Sequence, residues 1–173
     1  MTYKFCRFGS IILLLLTSSI CSASDIVINN NTVDKVIHLG NNKIMITLDY
    51  NGKCNISVLE VNGQSVVSGP SGIFSAIKTS TGTYSTLKIS SVPTIKIGKN
   101  SVTVSNIKYG TNVESVIENW KFLITDNDIR YDIERIIPKP LIIEEAAFSS
   151  FNFDNIKTWD GAFRGYGILL PYI

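Results

Sequence analysis

Between Asp25 and Ile173 no apolar pattern keeps helical spacing for the length of an ordinary helix, and this constrains the fold more than any other feature. In place of helices stand short runs rich in Ile, Val, Thr and aromatic residues, broken by Asn, Gly, Ser, Asp and Pro. β-Branched and aromatic side chains fit a pleated, half-buried surface, and the breakers are the residues that turn a chain. Short strands at this spacing predict an all-β fold, an antiparallel β-sandwich or a barrel, with the sandwich preferred.

Residues 43–50 alternate, with Ile44, Ile46 and Leu48 on one face and Met45, Thr47 and Asp49 on the other. Asn51-Gly52 follows at once, a hairpin signal because both residue types tolerate positive φ. A second run, 54–61, ends at Asn62-Gly63, and 65–67 completes a meander. Further runs are 73–79, 84–89, 93–97 and 102–109, with a last β-like stretch over 141–148 beyond Pro138 and Pro140. The best-specified hairpin joins 116–125 to 129–137 through a loop around Asp126-Asn127. An even-length loop sets Trp120 opposite Ile133, Phe122 opposite Tyr131, Ile124 opposite Ile129 and Lys121 opposite Asp132. Arg130, Asp132 and Glu134 then line the outer face. A slip of one residue would set apolar side chains against charged ones.

The first 24 residues differ in kind. Lys4 and Arg7 precede an apolar run over 11–16, and Cys21, Ser22, Ala23 and Ser24 supply small residues for a signal peptidase. Cleavage after Ala23 or Ser24 is expected, which places the mature chain, 25–173, outside the cell or in a periplasm. The apolar run falls far short of the about 20 residues that span a bilayer, so no stable membrane insertion is expected once the signal is gone. A lipoprotein acylated at Cys21 is disfavoured, because Ile20 stands where a small residue is wanted. What remains is the size of one domain. Of 16 Lys and Arg, Lys4 and Arg7 leave with the signal, and the rest balance 14 Asp and Glu. A neutral domain lacks the basic footprint that nucleic acid requires. Cys54 is the sole cysteine left, so no internal disulfide forms, and its strand-like surroundings predict a small buried apolar residue.

Candidate chemistry is sparse. Glu144 and Glu145 are adjacent, so on a strand they face opposite ways and cannot serve one bond together. Asp154 and Asp160 flank a loop, where Asp commonly forms turns. His38, the only histidine, reads as a strand-end residue and makes neither a metal site nor a triad by itself. The Ser-Gly-Pro-Ser-Gly run at 68–72 lacks the lysine and spacing of a phosphate loop. Asn30 and Asn55 head glycosylation sequons, which matter only in a eukaryotic source. No catalytic residue, metal ligand or cofactor site is assigned. The segment 158–167 is the exception in character, with Trp159, Asp160 and Arg164 among Gly161, Gly165 and Gly167. A ring face beside a carboxylate and a guanidinium is the chemistry of carbohydrate binding. Burial of Trp159 and Phe163 in the core, with glycines making turns, is the competing reading.

Glu118-Asn119-Trp120-Lys121-Phe122, Asp132-Ile133-Glu134-Arg135, the run from Glu144-Glu145-Ala146-Ala147-Phe148 to Phe153, and Thr158-Trp159-Asp160-Gly161-Ala162 carry a resemblance. Together they resemble the N-terminal β-sandwich (supersandwich, galactose-mutarotase-like) domain of secreted bacterial glycoside-hydrolase-like proteins. In those proteins the sandwich precedes an (α/α)6 toroid that bears the catalytic carboxylates. The resemblance spans roughly 43–167 and implies a truncated supersandwich, since the toroid has no counterpart here and no family catalytic residue carries over. It implies a non-catalytic module of a carbohydrate-processing system, sugar-contacting or scaffolding. The alternative is a fragment or subunit of a glycoside hydrolase whose catalytic domain lies elsewhere. A third reading is an interaction module with no sugar role, its aromatic tail docking on a partner protein. The apolar run 168–173 suits either a terminal strand tucked into a sheet or the front part of something longer.

Overall fold

Asn62 and Gly63 both hold left-handed backbone, with φ of 51° and 73°. Mirror-image turns of this kind match the twist of antiparallel strands, and Val61 pairs directly with Gln64 across it. The computed structural model describes residues 25–67 and 70–151, and every strand pairing in it is antiparallel. One sheet holds β1 (Val27–Asn31), β2 (Val36–Gly40), β3 (Ile44–Asp49), β4 (Asn55–Val61), β5 (Gln64–Val67), β6 (Ile73–Lys78), β7 (Thr83–Ser85) and β12 (Glu145–Phe151). Its order is β1-β2-β3-β4-β6-β12, with β5 beside β4 and β7 beside β6. The second sheet orders β11 (Ile129–Ile136), β10 (Ser115–Ile124), β9 (Ser101–Gly110) and β8 (Thr94–Ile97). No helix occurs among the described residues, so none there is long and apolar enough to cross a membrane. The fold is the expected all-β sandwich.

The core lies between the sheets. Ile37, Leu39, Ile46, Leu48 and Ile56 from the first sheet join Val102, Val104, Ile107, Trp120, Phe122 and Ile124 from the second in one buried cluster. A smaller cluster of Ile77, Tyr109 and Val116 forms beside it. The β10–β11 hairpin has the register read from sequence, Trp120 opposite Ile133, Phe122 opposite Tyr131, Ile124 opposite Ile129 and Lys121 opposite Asp132. Tyr131 stacks on Phe122 at 4.7 Å between ring centres and meets Trp120 edge-on at 5.4 Å.

One irregularity tunes the packing. In β9 the buried positions run Val102, Val104, then Ile107 and Tyr109, a change of phase. The register slips there between Glu118 and Trp120 of β10. Asn106 takes φ of 62° and donates its backbone N–H to Asn119 Oδ1 at 3.1 Å. The extra residue bends β9 while β10 keeps Val116, Glu118, Trp120, Phe122 and Ile124 all buried.

Several expectations need correction. The strand reading began at residue 43, yet β1 and β2 precede it, and His38 sits mid-strand in β2, exposed, with Nδ1 3.1 Å from Thr47 Oγ1. The connection at Asn51-Gly52 is five residues long, and only Gly52 of the two holds positive φ. β7 stops at Ser85 because the following backbone turns away: Lys88 N–H bonds Ser85 O and Ile89 N–H bonds Gly52 O. β12 begins at Glu145, four residues after the expected start, because Leu141 and Ile143 pack on the smaller cluster from outside any strand. Residues 1–24 and 152–173, with the expected signal, Trp159 segment and apolar end, lie outside the described residues.

Trp120 is fully buried. Replacing it with Ala is expected to cost about 3–5 kcal/mol in urea unfolding, as for large aromatics removed from cores. A loss under about 1 kcal/mol would contradict its place at the centre of the sandwich.

Candidate functional site

The β10–β11 register sets Glu118 directly opposite Arg135. Both point inward, with side-chain exposures of 0% and 5%, and Arg135 Nε meets Glu118 Oε1 at 2.7 Å. The carboxylate accepts two more hydrogen bonds, from Tyr109 Oη at 2.8 Å and Trp120 Nε1 at 2.7 Å. Each of the two carboxylate oxygens is thereby engaged by a donor, as a buried charge requires. Burial and the neighbouring Glu118 charge hold the Tyr109 phenol well above its ordinary range, so it stays a donor.

Arg135 also reaches out of its sheet. Its Nη2 donates to Ala147 O at 2.7 Å, and its guanidinium lies 4.1 Å from the centre of the Phe148 ring. Arginine suits this position because one planar group can bond a carboxylate, bond a carbonyl and stack on a ring at once. Ser75 Oγ donates to Phe148 O from the other side of β12. The cluster is closed to solvent at Glu118 and holds strands of both sheets together.

The remaining polar groups follow the same pattern of ties. Glu114, in the β9–β10 turn, accepts from Thr79 Oγ1 at 3.2 Å, from Tyr84 Oη at 2.7 Å and from Thr81 Oγ1. Hydrogen bonds from Thr81, then Tyr84, hold its carboxyl below the usual carboxylate range. Glu144 and Glu145 both approach the Lys78 ammonium, at 3.7 and 2.8 Å. They share a partner after all, because Glu144 precedes β12 and escapes the strand alternation. All three side chains are well exposed, so these pairs contribute little.

Cys54 is fully buried and unbonded to sulfur, and desolvation raises its thiol well above the ordinary range. It is the small core residue expected, not an available nucleophile. Asn55 is equally buried, its amide donating to Ser71 O at 2.9 Å, so its sequon is closed in the folded protein. Among the described residues no three His, Cys, Asp or Glu side chains gather as a metal site would. Trp159, Asp160 and Arg164, the expected carbohydrate-binding residues, lie outside the described residues.

Sequence reasoning missed the Glu118–Arg135 pair, although parity could have found it. Glu118 is two residues from Trp120, and Arg135 two from Ile133, so both share the buried face of their strands.

Comparison with protein-family models, with curated proteins and with solved structures finds no match for this chain.

Removing one member of the pair, by Glu118→Leu or Arg135→Met, is expected to cost about 3–5 kcal/mol in urea unfolding. The double variant should lose clearly less than the sum of the two. Strict additivity would show that the two charges do not depend on each other.

Proposed function

We propose that the chain is an exported, non-catalytic β-sandwich module of a carbohydrate-processing system, contacting sugar or scaffolding a partner. One observation carries the reading. Of the segments resembling the supersandwich family, those among the described residues fall in or beside β10, β11 and β12, and Arg135 ties all three strands at one point. The resemblance therefore rests on residues that the fold uses jointly, within a two-sheet antiparallel architecture of the kind it implies. The sugar contact is assigned to Trp159, Asp160 and Arg164 on the chemistry of their side chains. Glycan-array binding of the exported chain tests this, wild type against Trp159→Ala. The expected outcome is binding by the wild type and its loss in the variant. A wild type that binds no glycan, or a folded variant that binds as well, refutes the assignment.

A second reading, a subunit of a glycoside hydrolase docked on a catalytic domain, is favoured by β12, the last strand of its sheet among the described residues. Phe148, with Arg135 against its ring, is 53% exposed there, and Ile142 just before the strand is 85% exposed. Apolar surface along a strand edge is the usual mark of an interface. Sedimentation of the isolated chain should then show concentration-dependent self-association and binding of an apolar dye. A stable monomer that binds no dye overturns the second reading.

A further inference from the structure

Three turns meet at one end of the sandwich. Asn41, in the β2–β3 turn, is buried and accepts from the backbone N–H groups of Lys43 and Ile44 through Oδ1, both at 2.8 Å. Its Nδ2 donates across to Thr125 O in the β10–β11 turn at 2.7 Å. Lys43 Nζ donates to Asn127 Oδ1 of that same turn at 2.6 Å, and Asn62 N–H bonds Lys43 O at 2.6 Å. Gly40 cannot be replaced without collision, since a Cβ there would lie 2.2 Å from Ile44 O. The turns are thus fixed against one another by hydrogen bonds from both sheets.

Beside them, between the β2–β3 and β4–β5 turns, lies an open recess of about 250 Å³, lined by Asn41, Asn42, Lys43, Met45, Glu60 and Gly63. That is below the roughly 300–1,000 Å³ of pockets for drug-sized ligands, so it has room for one small ring. Met45 and Glu60 are direct cross-strand neighbours on β3 and β4. The Glu60 carboxylate and the Asn42 amide have no partner among the described residues, and Lys43 has committed one of its N–H donors. Lys43 and Glu60 line the same recess without forming an ion pair.

We infer that this recess binds a single neutral, polyhydroxylated ring. Its charges cancel, so neither a phosphate facing Glu60 nor a cation facing Lys43 is favoured. A carboxylate accepts from two vicinal hydroxyls, an ammonium donates to hydroxyl or ring oxygens, and an amide does both. The Met45 thioether supplies a pliable apolar wall for a C–H face. The choice of a sugar over another small neutral polar molecule rests on the reading proposed above; the recess is argued from residues other than those assigned there.

The test is a ¹⁵N–¹H titration of the exported chain with glucose, galactose, mannose and xylose, and with glycine as a zwitterionic control. Expected are saturable shifts at residues 41–45 and 60–63 with at least one sugar, in the millimolar range of single-ring ligands. Glu60→Ala and Asn42→Ala should each weaken binding tenfold or more, and Glu60→Gln less so. The Glu60 and Asn42 side chains are bonded to nothing else among the described residues, so the variants should keep the wild-type spectrum elsewhere. Absence of saturable shifts, shifts confined to other residues, stronger binding of glycine, or wild-type affinity in Glu60→Ala each overturns the site. Glycan binding lost only in Trp159→Ala would leave the module reading standing and this recess refuted. Recess binding with a silent glycan array would do the reverse.

Discussion

The Glu118–Arg135 pair is the interaction on which the arrangement of strands depends. Two ionised groups taken out of water carry a large desolvation cost, and replacing such pairs with apolar residues is often neutral or stabilising. Stability alone is therefore a poor account of why both charges sit between the sheets. Their geometry supplies a better one. Glu118 draws on donors from β9, β10 and β11, namely Tyr109, Trp120 and Arg135. Arg135 then extends to the backbone of β12, which belongs to the other sheet. An apolar residue could fill the space, but it could not specify which backbone carbonyl lies at its tip. The chain leaves β11 in one sheet and must enter the other beside β6. Arg135 marks where it lands.

The other polar ties act at the two ends of β10, and they oppose sliding of one sheet over the other. Before β10, Glu114 gathers Thr79, Thr81 and Tyr84 from the β6–β7 hairpin of the first sheet. After β10, the Thr125 carbonyl and Asn127 take hydrogen bonds from Asn41 and Lys43 of the same first sheet. Hydrophobic burial is non-directional, so an interface of Ile, Val and Leu fixes the distance between sheets better than their offset. Directional bonds at both ends supply the offset. The bulge at Asn106 is the compensating adjustment, bringing Ile107 and Tyr109 inward after Val104.

Much of this was legible in the sequence wherever one physical rule acted alone. Parity across an even loop fixed the β10–β11 register, because any slip would have paired apolar with charged side chains. Asn62-Gly63 announced its turn, since two consecutive positive φ values favour those residue types. The failures have a common cause: each needed a partner distant in sequence. His38 reads as a strand end only until β3 is laid beside β2. The run at 84–89 has strand-forming residues, yet its backbone bonds are claimed by Ser85 and Gly52. Glu118 violates the apolar pattern of β10, and although hairpin parity sets Arg135 opposite it, nothing local says that Tyr109 of β9 will join them. The recess is less visible still, because Asn42, Lys43, Glu60 and Gly63 look like ordinary turn and surface residues until three turns converge. The sugar contact proposed for Trp159 rests on side-chain chemistry alone and lies outside the described residues.

Where function can reside follows from what the fold has already committed. In the sandwich interior several polar groups with chemical potential are spent: Glu118 and Tyr109 on each other, the Cys54 thiol on apolar burial. Among the described residues, uncommitted chemistry is left to the margins. Loops and edges can vary without disturbing the register that the interior fixes. Two such margins differ in kind. The recess between the turns offers hydrogen-bonding groups of balanced charge around a small volume, which suits a polar ring. β12 and the residues before it offer apolar surface at Ile142 and at the outer part of Phe148, which suits a protein surface. The two share no residue, so a sugar contact and a protein contact need not compete. A module that holds a carbohydrate at one margin and a catalytic partner at the other would use both without asking any residue of the core to do chemistry.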